Sequence, residues 1–188
     1  SSWQYLSTND RRVVSFNWNS AFGGNLEHGR FFELGPGVVV RPTSSFSTEL
    51  GFFYNNNIDD AQRVREVRDA GETHYVFGRL KQETSSITLR VNYTMTPNLS
   101  LQVYAQPFAS SGNYVNYKEL VNGRAGDYDE RYAPYDYPGD ADFKVLSFRT
   151  TNVLRWEYKR GSALFVVWQQ AREDLAVPGP FGFSRDYR

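Results

Sequence analysis

The chain reads as all-β: an antiparallel up-and-down transmembrane β-barrel of about eight strands. Three observations predict it. Apolar residues recur at every second position along most of the 188 residues. Helical periodicity is nearly absent. Short polar connections alternate with longer ones, as in a meander with tight turns at one end and loops at the other.

The elements follow in order. A weak first strand covers residues 3–7. Val14, Phe16, Trp18 and Phe22 then alternate with Ser15, Asn17 and Asn19. Phe32, Leu34, Val38 and Val40 stand against Glu33, Gly35, Gly37 and Arg41. After PTSS, Phe46, Leu50, Phe52 and Tyr54 stand against Ser47, Glu49 and Asn55. Ile87, Leu89, Val91, Tyr93 and Met95 form the most regular set, followed after TPN by Leu99, Leu101, Val103 and Ala105. Leu154, Trp156 and Tyr158 alternate with Arg155, Glu157 and Lys159. Leu164, Val166 and Trp168 close the series, with Phe165 and Val167 making the opposite face partly apolar.

Short connections are predicted at 9–12, 42–45, 96–98 and 159–162. Longer ones are predicted near 23–29, 56–73 and 109–142, and from 173 onward. This scheme requires residues 74–96 to be a single long strand, with 45–66 as a partner of similar length. The best helical candidate, DDAQRVREVRDAG at 59–71, has no apolar face wide enough to bury.

Composition excludes several classes of function. Lysine plus arginine equal aspartate plus glutamate at 21 each, so nothing points to nucleic acid. The chain has no cysteine, which removes disulfides, thiolate metal sites and cysteine nucleophiles. His28 and His74 lie in no HExxH setting, and no GxSxG is present. Gly23–Gly24 and the GPG at 35–37 precede no helix, so they do not form phosphate loops. The glycines Gly35, Gly37 and Gly51 fit sheet curvature or close strand approach. No run of about 18 apolar residues exists, which excludes a transmembrane helix but not a barrel. SSWQYLSTND lacks a basic start and an apolar core, so an exported protein is expected here as a mature form or a fragment.

The window 87–95 is close to the roughly nine to eleven residues that a tilted strand needs to cross a bilayer. The pattern turns Leu89, Val91, Tyr93, Leu101, Val103 and Trp156 toward lipid. It turns Arg90, Asn92, Gln102, Gln106, Arg155 and Glu157 toward a lumen. Tyr93, Trp156, Tyr158 and Trp168 stand where interfacial girdles would be. Alternation alone is equally compatible with a soluble β-sandwich that binds carbohydrate or a protein partner. Turn-length asymmetry and the aromatic positions favour the membrane.

YVFGRLKQETSSITLRVNYTMTPNLSLQVYAQPFASSGNY (75–114), NVLRWEYKRGSALFVVWQQ (152–170) and FGFSRDYR (181–188) resemble a family of bacterial envelope proteins known only as a domain of unknown function. Longer members look like an N-terminal family-nine-type carbohydrate-binding module followed by an outer-membrane barrel. The resemblance implies localisation in the bacterial outer membrane, contact with outer-membrane lipid, envelope protein partners at the extracellular loops, and glycan binding through a module outside this chain. It supplies no catalytic residues and no cofactor. Family members continue into a final apolar strand, so the resemblance implies the C-terminal part of a larger barrel. An open edge in lipid would leave backbone groups unsatisfied.

The segment 122–142 gathers Asp127, Asp129, Glu130, Asp136, Asp140 and Asp142 among tyrosines. These are weak candidate calcium ligands: the spacing does not continue as an EF-hand, and a solvated surface loop with tyrosine packing is the better explanation. Arg63, Arg65, Arg68, Arg79 and Lys81 fall near the expected outer rim, where lipid phosphates lie. Interleaved Glu66, Asp69, Glu72 and Glu83 also allow an ordinary mixed-charge surface.

Overall fold

The computed structural model describes residues 1–69, 71–179 and 181–186. Ala70, and Tyr187 and Arg188 at the end of the FGFSRDYR stretch, lie outside the described residues. One antiparallel sheet contains every strand: β1 (Ser2–Ser7), β2 (Val14–Gly24), β3 (Arg30–Thr43), β4 (Phe46–Asp69), β5 (Glu72–Thr96), β6 (Leu99–Leu120), β7 (Tyr132–Pro134), β8 (Phe143–Lys159) and β9 (Ser162–Leu175). The spatial order is β1-β2-β3-β4-β5-β6-β8-β9, and β7 pairs with the far end of β6, beyond the reach of β8. The sheet is an up-and-down meander that is not closed on itself. Strand count rises from the expected eight to nine because of β7. A four-residue helical turn, α1 (Phe183–Asp186), ends the described chain.

Tight connections lie where the sequence puts them, between β1 and β2, β3 and β4, β5 and β6, and β8 and β9. The last uses Gly161 at φ 78, a left-handed conformation that suits glycine. Residues 74–96 are one strand, as expected, inside the 25-residue β5.

Two expected loops are corrected. Residues 56–69 are strand, not part of a long connection, and the helical candidate at 59–71 belongs almost wholly to β4. The cause is a pair of β-bulges, between Asp59 and Gln62 and between Arg63 and Arg65. Each inserts an unpaired residue and reverses the parity of the alternation, so a period-two pattern disappears while the strand continues. Similarly, β6 runs to Leu120, so the loop expected at 109–142 begins only after it. Its bulge carries Asn116 at φ 52, between the Arg79 and Phe77 pairings.

Residues opposed across an antiparallel pair share a face. One face is apolar toward the tight turns. There Phe16 and Trp18 meet Val38 and Pro36, and Leu50 and Phe52 meet Leu89 and Ile87. Val91 and Tyr93 meet Val103 and Leu101, and Leu154 and Trp156 meet Val166 and Leu164. The other face carries Asn17, Glu49, Arg90, Asn92, Gln102 and Arg155.

Burial is inverted relative to an ordinary core. Among the described residues the buried apolar side chains are Ile58, Val76, Leu80 and Ala109, all in the halves of β4–β6 far from the tight turns. The apolar band itself is open: Leu50 is 54% exposed, Trp156 49% and Trp168 62%. Among the described residues no second sheet covers it.

Candidate functional site

Two regions bear on function: the two-faced lower sheet and the covered upper end. In the lower sheet, all six residues expected at a lumen fall on the polar face, and all six expected at lipid fall on the apolar one. Polar-face side chains link to one another. Arg90 reaches Glu49 at 3.4 Å and lies 5.7 Å from the centre of the Tyr104 ring. The Tyr104 hydroxyl donates to Gln106 at 2.9 Å, Asn92 donates to Ser47, and Arg155 donates to Glu157 at 3.0 Å. Strand β9 departs from the rule. Phe165 and Val167 put exposed apolar groups on the polar face, opposite Arg155 and Val153.

At the upper end, the β6–β8 loop folds over the continuation of the apolar face. Asp60, in the first β4 bulge, accepts from Lys118 at 2.6 Å, from Arg79 at 3.2 Å and from the Tyr128 hydroxyl at 3.2 Å. The Lys118 ammonium also lies 4.6 Å from the Tyr132 ring centre and 5.0 Å from that of Tyr128, both cation–π distances. Desolvation, and then the Asp60 charge, push the Tyr128 hydroxyl well above its ordinary range, so it stays a donor. The loop tip reaches the β2–β3 hairpin through His28–Asp129 and Arg131–Glu27 contacts.

The tail after β9 crosses the same face. Asp186 meets the Lys144 ammonium at 2.7 Å, with both side chains buried. Burial alone would raise the Asp186 carboxyl. Hydrogen bonds from Lys144, the Gly182 amide and Arg185 outweigh it and hold the group below its ordinary value.

On the opposite face His74 contacts Glu119 at 2.5 Å and packs against Tyr135. The Glu119 hydrogen bond raises the His74 pKa above its ordinary value. A raised pKa makes the contact strongest below the unfolded imidazole value and weakens it as pH rises through the folded one. Protection of the amides near His74 and Glu119, relative to their intrinsic exchange rates, is therefore expected to be greater at pH 6 than at pH 9. Exchange protection that does not change between these pH values would contradict that linkage.

The acidic segment does not assemble as a metal site. Among the described residues no group of three histidine, cysteine or acidic side chains comes together. Asp127 instead accepts from the Asp129 amide, Asp140 from the Asp142 amide, and Asp142 from Asn113 and the Tyr114 amide. These carboxylates shape the loop. Of the rim cations, Arg79 is drawn into the Asp60 cluster, and Arg63 and Arg68 pair with Glu66. Sequence reasoning missed Asp60, Lys118, Lys144 and Asp186. The first lies in a bulge that carries no pattern, and the other links join segments too distant for any spacing rule.

Comparison with protein families finds a match to a domain of unknown function, DUF5916, over residues 1–183. The chain belongs to the DUF5916 family. No curated protein and no solved structure matches it significantly.

Proposed function

We propose that this segment is part of a β-barrel in the bacterial outer membrane that acts as an anchor, channel or scaffold and carries no catalysis of its own. The observation that carries the reading is the broad apolar band exposed on one face of a single sheet, backed by a linked polar face. Water would penalise that area at roughly 25 cal/mol per Å². Lipid would not. The long strands fit as well: at about 3.3 Å per residue β5 extends about 80 Å, far more than a bilayer crossing needs, so its upper half would stand outside.

The slope of the band gives independent support. Its upper edge on β2 is Phe22, paired with Phe32 on β3. On β4 the edge is Tyr54 and on β5 Ile87, each lower along the strands; β8 still carries Phe148 on this face opposite Pro107, and on β9 the edge drops to Trp168. The hydrogen-bonded row through Trp168 runs by Asn152, Val103, Val91, Thr48 and Val40 to Val14, eight residues below Phe22 on β2. At about 3.3 Å per residue and about 4.8 Å per strand, this drift corresponds to strands tilted about 40° from the normal of a level band. Closed barrels tilt their strands by roughly 35–45°.

On this reading the free edges of β1 and β9 pair with further strands, because no lipid-facing edge can leave its amides unpaired. Outer-membrane lipid touches the apolar band, envelope proteins meet the upper loops, and any glycan is taken by a module outside this chain. Arg90, Glu49, Arg155 and Glu157 line or brace the lumen. Two cheap observations test it. The full-length protein is expected to require detergent for solubility and to show heat-modifiable gel mobility. A monodisperse monomer in plain buffer would overturn the proposal.

A further inference from the structure

We propose that the upper apolar-face cleft bounded by Arg30 and Lys81 binds a phosphate of an outer-leaflet glycolipid headgroup. The inference rests on the membrane reading and adds a ligand to it. Arg30, Ile58, Lys81 and Asn113 occupy one hydrogen-bonded row across β3, β4, β5 and β6. On β3 that row is the next same-face position above Phe32, where the apolar band ends. The two cations flank the buried Ile58 at two strand spacings, about 10 Å apart along the row. A cleft of about 580 Å³ is lined by this row, by the next one below it through Asn56, Glu83 and Ser111, and by Gly179 and Phe181 of the tail.

The lining carries two cations and two carboxylates, so no net positive field draws an anion; what is available to one is direct pairing with Arg30 and Lys81. Among the described residues neither Arg30 nor Lys81 has an ion-pair partner, whereas Arg63, Arg68, Arg79, Lys118 and Lys144 all do. The two carboxylates that face the cleft are already engaged. Glu83 accepts from the Tyr54 hydroxyl and the Asn56 amide, each at 3.2 Å. Asp142 accepts from the Asn113 amide and from the Tyr114 backbone amide. Arginine offers a fork matched to phosphate oxygens and lysine a mobile point charge. A phosphate attached to sugars suits a cleft whose remaining wall is Asn56, Ser111 and Asn113. Its acyl chains would then lie along Phe32 and the band below.

The test uses the full-length protein in detergent and native mass spectrometry with diphosphoryl lipid A and its dephosphorylated form. Wild type is expected to retain the phosphorylated lipid preferentially. The double variant Arg30→Gln/Lys81→Gln is expected to lose about thirtyfold in that retention, on the order of what two interfacial cations contribute. Arg160→Gln, in the β8–β9 turn at the opposite end, is expected to leave it unchanged. Preserved heat-modifiable mobility shows that the double variant has folded. Equal retention of both lipids, or no loss in the double variant, would overturn the proposal. Displacement of the lipid by millimolar inorganic phosphate would do the same, by assigning the cleft to free anion. Insertion without phosphate discrimination removes this inference alone, whereas failure to enter detergent removes the membrane reading beneath it.

Discussion

Val91→Arg is expected to destabilise the membrane-inserted protein by about 2–4 kcal/mol, the cost of an arginine on the lipid face near the midplane. Val91 pairs with Thr48 and Val103 at the middle of the 87–95 apolar stretch, so its side chain would have the longest route to either interface. Urea titration of the full-length protein in lipid vesicles measures the effect. Asn92→Arg, one residue away on the face of Arg90 and Gln102, supplies the comparison and is expected to change stability far less. If both substitutions were equally mild, neither face would meet hydrocarbon. If Asn92→Arg were the costlier, the faces would be assigned the wrong way round.

Asp60→Ala is expected to release the β6–β8 loop. It would strand Lys118 and Arg79, whose side chains are only 15% and 30% exposed, and take the acceptor from Tyr128. Removing one partner of a largely buried ionic cluster costs about 3 kcal/mol, since the remaining charges are left desolvated. The loss falls on local docking of the loop more than on the sheet. Limited trypsin digestion at Arg124 and Arg131 is therefore expected to accelerate strongly, with the strands still protected. Asp60→Asn, which keeps the shape and one acceptor oxygen but loses the charge, is expected to fall between. Unchanged cleavage in Asp60→Ala would show that the loop is held elsewhere, by the His28–Asp129 or Arg131–Glu27 contacts.

The lower sheet was legible because its chemistry is periodic. Each strand from β2 to β9 that crosses the band alternates with few interruptions, and tight turns mark its ends, so the positions of Leu89, Val91, Arg90 and Gln102 follow from parity alone. The upper sheet was not legible for a definite reason. At Asp59–Gln62, Arg63–Arg65 and Asn116 the bulges reset the parity, and the polar, charged sequence there reads as loop or weak helix. What keeps it extended is pairing with a long neighbour: β4 and β5 hold each other from Phe46–Tyr93 up to Asp69–Glu72. Tertiary links such as Lys144–Asp186 and Lys118–Asp60 were invisible because each joins elements whose adjacency the topology alone creates. The acidic loop shows the converse. Its six carboxylates suggest a cation in sequence, but the fold spends several of them on its own amides and on His28.

The absence of cysteine permits a direct test of which face meets lipid. Single cysteines at 89 to 92 and 101 to 104 of the full-length protein, spin-labelled in lipid vesicles, report oxygen and aqueous-relaxant accessibility residue by residue. Labels at 89, 91, 101 and 103 are expected to be oxygen-accessible and shielded from water, with the opposite at 90, 92, 102 and 104. Accessibility without period two, or apolar-face labels sealed from oxygen and polar-face labels in bulk water, would contradict the membrane assignment.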